Sequence, residues 1–256
     1  MKRTITIILA LTLLATMLAG CAGKQETNTA EKTEAKAETT DAPLPDSPEW
    51  IAALGEEKGA KQLFVVAGIG LTTAYISMHE KDAEGNWKEL MSTPGFIGKK
   101  GLGKTREGDA LSPVGTFGFN AAFGIADDPG CAISYQKVTA DDYWSGDGRE
   151  GYGYNTMVSI KDLPDLNLDD SEHIVDYTSE YQYCLNISYN DACVPGAGSA
   201  IFLHCFGKLK PYTGGCVAIP QACMEQVMKL VSPDCVVVID SLKILSPETW
   251  EKLGLG

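Results

Sequence analysis

The chain has 256 residues, a formal charge of −13 and eight cysteines. That length suits one domain with a substantial core behind a short leader. The acidic balance argues against a nucleic-acid partner, whose phosphates call for basic patches.

Lys2 and Arg3 open the chain, and residues 5–18 follow as an apolar run without charge, leading into Leu18-Ala19-Gly20-Cys21. A basic flank, an apolar stretch short for a membrane span and small residues before a cut point predict a secretory signal peptide over residues 1–20. The alternative is an uncleaved anchor helix, and either reading puts the domain outside the cytoplasm. Residues 21–46 predict a tether, since no large apolar residue lies between Cys21 and Leu44 and such a segment buries too little to offset its chain entropy. As a flexible coil it would reach on the order of 25–30 Å.

Residues 47–256 predict a single domain. Ser47-Pro48-Glu49 has the pattern of a helix start, with a hydroxyl cap, Pro in the first turn and an acid near the positive end. Trp50, Ile51 and Leu54 would form that helix's buried face. Residues 63–67 and 74–78 suit two strands, and Ala83-Glu84-Gly85-Asn86 suits the turn of a hairpin that resumes at Trp87. A Gly-, Lys- and Pro-rich stretch over 93–115 precedes an apolar alternation at 116–119, and long loops follow. Further strands are expected at 157–160, 183–189, 200–204 and 235–239. Met224, Val227, Met228 and Val231 recur at helical spacing. Many short strands, long loops and few helices predict a mostly β (α+β) domain with small helices packed on it.

The chemistry concentrates in residues 199–220. A short apolar strand delivers His204, eleven residues follow, and Thr213-Gly214-Gly215 leads into Cys216. A thiol nucleophile needs a nearby base, and His titrates in the right range. Such a loop can return Cys216 to His204, giving a low-pKa thiolate. The glycines let backbone N–H groups converge on an oxyanion. The seven cysteines beyond Cys21 are an odd set: Cys131, Cys184, Cys193, Cys205, Cys216, Cys223 and Cys235. At least one is therefore unpaired within the molecule and open to a reactive role, although free Cys is also a common small core residue.

Other readings compete. Cys205 adjoins His204, but neighbours on a strand point to opposite faces. His204, Cys205, Cys216 and Cys223 could be imagined around zinc, yet their spacing matches no usual ligand pair. His79 and His173 suit the surface. Lys104, Arg106, Glu107 and Asp109 suit either a solvated turn or a structural or substrate-facing loop. Trp144, Tyr154 and Tyr212 could line a cleft with Ser199 and Thr213, or fill a core.

Ser199-Ala-Ile-Phe-Leu-His204 followed by Thr213-Gly-Gly-Cys-Val-Ala-Ile-Pro220 resembles the signature of the L,D-transpeptidase (YkuD-like) catalytic domain. The segment 101–109 with Ser112-Pro-Val-Gly-Thr-Phe117 resembles an upstream part of that family's pattern, as do Tyr154-Asn155 and 195–199. The likeness runs over about residues 62–240. It implies a β-sandwich with small helices, Cys216 as nucleophile, His204 as general base, and the N–H groups of Gly214, Gly215 and Cys216 as oxyanion donors. It also implies a peptidoglycan stem peptide as acyl donor, an amine or water as acceptor, acylation by carbapenems, and no cofactor or metal. The Leu-Ala-Gly-Cys21 run resembles a lipobox, which implies lipidation at Cys21 and a membrane-anchored domain on the extracytoplasmic face. Three positions depart from the family: Gly214 where His is frequent, Ala218 where Arg is frequent, and Cys205 where a small residue usually follows the histidine. A non-catalytic wall-binding lipoprotein, or an L,D-carboxypeptidase alone, is the alternative function.

Overall fold

A computed structural model describes residues 43–207 and 210–255. The expected leader, Cys21 and most of the tether lie outside the described residues. Among these, no helix is long and apolar enough to cross a membrane. Residues just before α1 are already hydrogen-bonded to the domain. Pro45 O accepts from Glu89 N, and Ser47 N donates to Trp87 O.

The chain runs α1 (Glu49–Lys58), β1 (Gln62–Gly68), β2 (Thr73–Lys81) and β3 (Trp87–Phe96), with the expected hairpin between the last two. Next come β4 (Gly115–Phe117), β5 (Phe119–Gly124), β6 (Tyr135–Lys137), β7 (Asp142–Trp144), β8 (Met157–Ser159) and β9 (Glu172–His173). The C-terminal part contributes β10 (Cys184–Ile187), β11 (Phe202–Cys205), β12 (Val217–Ile219), α2 (Gln221–Leu230), β13 (Val236–Ser241), α3 (Leu242–Leu245) and α4 (Pro247–Lys252). Ten strands form one sheet in the order β4-β13-β1-β2-β3-β12-β11-β10-β5-β6, and β8-β7-β9 form a small second sheet. The architecture is mostly β with a few small helices, as the pattern predicts.

Strand alternation sorts side chains to two faces. Phe64 and Val66 of β1 share one cluster with Leu203 and Cys205 of β11, Val217 and Ile219 of β12, and Met224 and Val227 of α2. Phe64 of β1 meets Phe119 of β5 edge to face at 5.5 Å, although these strands are far apart in sheet order. The large sheet therefore curls around a central core. Leu63, Val65 and Ala67, on the other face of β1, pack with Ile51, Trp87 and Leu242. Near the other edge, Phe202, Cys184 and Cys216 face outward toward Trp144, Ile174 and Tyr181.

The start of α1 departs from expectation. Its cap is Pro48 without a side-chain bond, because the Ser47 hydroxyl lies 2.8 Å from His79 Nδ1 instead. His79, expected on the surface, is fully buried. Strand β2 continues past Met78 and pairs His79 with Leu63, beneath residues 45–47. His173 is half-buried, stacked on Tyr143 with centroids 4.4 Å apart.

Candidate active site

Parallel pairing of β11 with β12 sets Leu203 against Val217 and His204 against Ala218. Side chains two residues apart share a face, so His204, Ala218 and Cys216 emerge on the same side. Both His204 and Cys216 line a single cleft of about 570 Å³. Cys205 points the other way into the central core, so it cannot share the site with its neighbour. Cys223 packs against that core too, and the four residues imagined around zinc do not converge.

Cys216 sits on a backbone turn fastened from below. Ser112, fully buried, donates from Oγ to Gly215 O at 2.6 Å and accepts from Gly98 N at 2.9 Å. Thr213 Oγ1 donates to Cys216 O at 2.6 Å and accepts from Gly215 N at 3.1 Å. Gly215 has φ +148°, and a Cβ there would lie 2.8 Å from Leu111 O. Glycine is therefore required at that position. Gly214 has no such constraint, since a Cβ would meet nothing within 4 Å. Of the three expected oxyanion donors, Gly215 N–H is occupied by Thr213. Gly214 N–H and Cys216 N–H find no carbonyl or side-chain oxygen among the described residues, and they remain available.

Cys216 Sγ donates to Ala200 O at 3.1 Å and accepts from Phe202 N at 3.4 Å. Burial pushes its thiol up to about 12, and the nearby Glu172 carboxylate adds to the rise, against the pull of Phe202 N–H and Lys104. Burial lowers His204 to about 4, so the ring is neutral near pH 7. The standing thiolate expected from the sequence is thus replaced by a neutral pair. His204 Nδ1 lies 2.7 Å from Cys205 O. A carbonyl only accepts, so Nδ1 holds the ring proton and Nε2 presents its lone pair. Sγ makes its hydrogen bonds to Ala200 O and Phe202 N and none to His204 among the described residues; the two side chains share the cleft, and Nε2 would have to close on Sγ to take its proton.

Tyr212, Thr213 and Ser199 line the cleft, as expected. Tyr154 stands behind it, with its hydroxyl donating to the cleft residue Glu107 at 2.7 Å. Trp144 does not line it. The indole is buried against Phe123 and Phe202, because β7 turns it toward the outer face of β11. Its Nε1 donates at 3.0 Å to Asn155 Oδ1, which also accepts from Ala200 N at 3.1 Å. Trp144 therefore supports the carbonyl that receives the Cys216 thiol. Lys104, in the loop that could have been a solvated turn, is buried in an ion pair with Asp109 at 3.1 Å. Burial opposes ionisation of Asp109, but the N–H groups of Thr105, Arg106 and Leu111, with Lys104, hold it well below the usual carboxylate range.

The sequence gives no signal for Glu172, Tyr177, Glu180 or Tyr181, which complete one wall of the cleft. Tyr181 is buried, with its ring edge-on to His204 at 5.4 Å and its hydroxyl donating to Glu172 Oε2 at 2.6 Å. Burial raises the Glu172 carboxyl. Their distance in sequence from Cys216 hides them; a buried Tyr near a strand pair carries no local mark.

No family model matches the chain, and no curated protein matches it. Among solved structures, the helical cell shape determining protein Pgp2 from Campylobacter jejuni is similar at 13% identity with a TM-score of 0.40. The match covers 71% of this chain and 48% of that one, so the chain spans about half the length of that protein.

Proposed function

We propose that this domain is a cysteine acyltransferase of the L,D-transpeptidase type, exported as a lipoprotein and acting on peptidoglycan stem peptides. The observation that carries the reading is the placement in one cleft, at the paired strands β11 and β12, of a thiol and a histidine whose Nδ1 proton is held by Cys205 O. In the proposed reaction Cys216 Sγ attacks the carbonyl of the stem peptide's penultimate residue while His204 Nε2 takes the thiol proton. Gly214 N–H and Cys216 N–H face the developing oxyanion. His204 returns the proton to the leaving amine, a terminal D-alanine, and a thioester remains on Cys216. An amine then yields a crosslink, and water yields trimming. Ala218 supplies no charge where the resembled family often has Arg, but Lys99 and Lys210 on the cleft wall could hold the donor's carboxylate.

A wall-binding protein without catalysis is favoured by one observation, the neutral buried thiol already donating to Ala200 O. Incubation with a stem tetrapeptide, and separately with a carbapenem, followed by intact-mass and peptide mapping, separates the two. One acyl adduct on the peptide carrying Cys216 is expected. No adduct on folded protein, or adducts spread over several cysteines, would favour the wall-binding reading.

A further inference from the structure

The cleft is lined by both signs of charge; Lys104 is already paired with Asp109 and Glu107 is bonded to Tyr154 and Ser199, which leaves Lys99, Lys210, Glu172 and Glu180. On the flank of β3 and the loop before Cys216, Lys99 stands 5.4 Å from the Tyr212 ring centroid, and Lys210 follows. The other flank carries Glu172 on β9 and Glu180 beside Tyr181. Among the described residues no Lys, Arg or His pairs with Glu172. Glu172 is not a loose surface acid. Its strand pairs it with Trp144 in the small sheet. Oε2 is fixed by the Tyr181 hydroxyl, and Oε1 has no hydrogen-bond partner among the described residues. Tyr181 in turn touches both His204 and Phe202, at 5.4 and 5.6 Å between centroids. Ionised without a counter-ion, a carboxylate held in this position carries a desolvation cost that a cation entering the cleft would offset.

We propose that Glu172 is the acceptor-binding residue of this cleft, holding the ammonium form of an incoming primary amine and removing its proton, so that the acyl group passes to an amine rather than to water. This rests on the acyl-transfer reading above. A primary alkyl amine is protonated near neutral pH and has no lone pair for attack. On the wall beside Cys216, the Glu172 carboxylate takes one proton from the ammonium and becomes a carboxylic acid. The freed amine nitrogen attacks the thioester carbon and forms the C–N bond. The tetrahedral intermediate gives its extra N–H proton to His204 Nε2. The C–S bond then breaks, the sulfur leaves with the electron pair, and His204 returns that proton to it as the thiol. Glu172 releases its own proton to solvent. The raised carboxyl of Glu172 suits it to accept a proton from a bound ammonium.

The test uses the purified full-length protein, a synthetic stem tetrapeptide ending in D-alanine, and two nucleophiles at matched free-base concentration. Lysine amide, used with its α-amine acetylated, brings one cationic side-chain amine, and hydroxylamine is neutral at pH 7. Products are counted as adduct against hydrolysed acid. The wild type is expected to prefer lysine amide. Glu172→Gln is expected to reduce the lysine-amide to acid ratio on the order of 10–100-fold, the loss of one charge-assisted hydrogen bond, while the hydroxylamine ratio holds and the acyl-enzyme still forms by intact mass. An equal fall for both nucleophiles, or none for lysine amide, overturns the proposal. Should Glu172→Gln fail to fold, the wild type alone decides: no preference for lysine amide over hydroxylamine overturns it as well. Absence of any acyl-enzyme in the wild type strikes instead at the acyl-transfer reading itself.

Discussion

Ala200 adopts φ +54°, a left-handed backbone that costs a residue with a Cβ about 1 kcal/mol. Asn155 holds it there through the Ala200 N–H, and the Ala200 carbonyl receives the Cys216 thiol. Strain and burial thus converge on a sulfur that stays protonated near neutral pH. The pH profile should show it. With His204 lowered to about 4 and Cys216 raised to about 12, both partners keep their reacting forms between those values. Acylation rate against pH is expected to lack the rise near 8.5 of an ordinary thiol and to fall only in acid as His204 takes a proton. A rise through pH 8–9 would mean that free thiolate is the reacting species. Cys216→Ser and His204→Ala are each expected to abolish acylation by intact mass, and the double change should cost little more than either, since the two act as a unit. Loss of activity in Cys205→Ala with Cys216→Ser tolerated would reverse the assignment.

At the scale of elements, the turn before Cys216 separates two glycines that look alike in sequence. Gly215→Ala is expected to destabilise by about 1–3 kcal/mol, because a Cβ would press on Leu111 O in a strained backbone, and to slow acylation by moving Cys216. Gly214→Ala opens onto free space and should leave both within about 0.5 kcal/mol of wild type. Urea unfolding and acylation rates measure the contrast. Much of the scaffold was legible because its signals are local. The apolar run of β1, the turn before Trp87 and the helical spacing of Met224, Val227 and Met228 each depend on neighbours in sequence. His204 and Cys216 were legible for the same reason, lying twelve positions apart with a glycine turn between them. Glu172 and Tyr181 were not, since only the packing of the small sheet and the residues after it against β11 brings them to the thiol. For Trp144 the sequence left cleft and core both open, because an aromatic in a Gly-rich stretch has the same composition whether it lines a cleft or supports its floor. His79 was misassigned because two further residues of strand turned an apparent strand end into core.

Over the whole molecule, two buried histidines set the acid limit of stability. His79 and His204 are both lowered from 6.5 to about 4 by burial. The unfolded chain therefore binds protons that the fold refuses. Stability from these groups is full above pH 6.5 and is lost as pH falls toward about 4. The loss is expected to be on the order of 2–3 kcal/mol for each histidine, read from urea midpoints between pH 7 and pH 4.5. His79→Gln should remove about half of that slope. Unchanged midpoints over this range would show that neither histidine is held neutral. The proposed export and anchoring belong to the same scale. Cys21→Ala is expected to release the protein from the membrane fraction or leave it unprocessed there, and identical processing and lipid labelling in the variant would end the lipoprotein reading.

The two halves of the large sheet meet between β3 and β12, where one residue pair, Phe96 with Ala218, is in register. The strap of Thr213 between Ile97 and Lys99 reinforces it through Thr213 N to Ile97 O and Lys99 N to Thr213 O, both near 3 Å. Phe96 and Lys99 line the cleft on one bank of this seam, while Glu172 and Tyr181 line it on the other side of Cys216. A peptide lying in the cleft would therefore act as a rivet, adding its own contacts across a joint that few backbone bonds close. By mass action, whatever binds there also holds the barrel-like curl together. Occupancy and cohesion become one quantity.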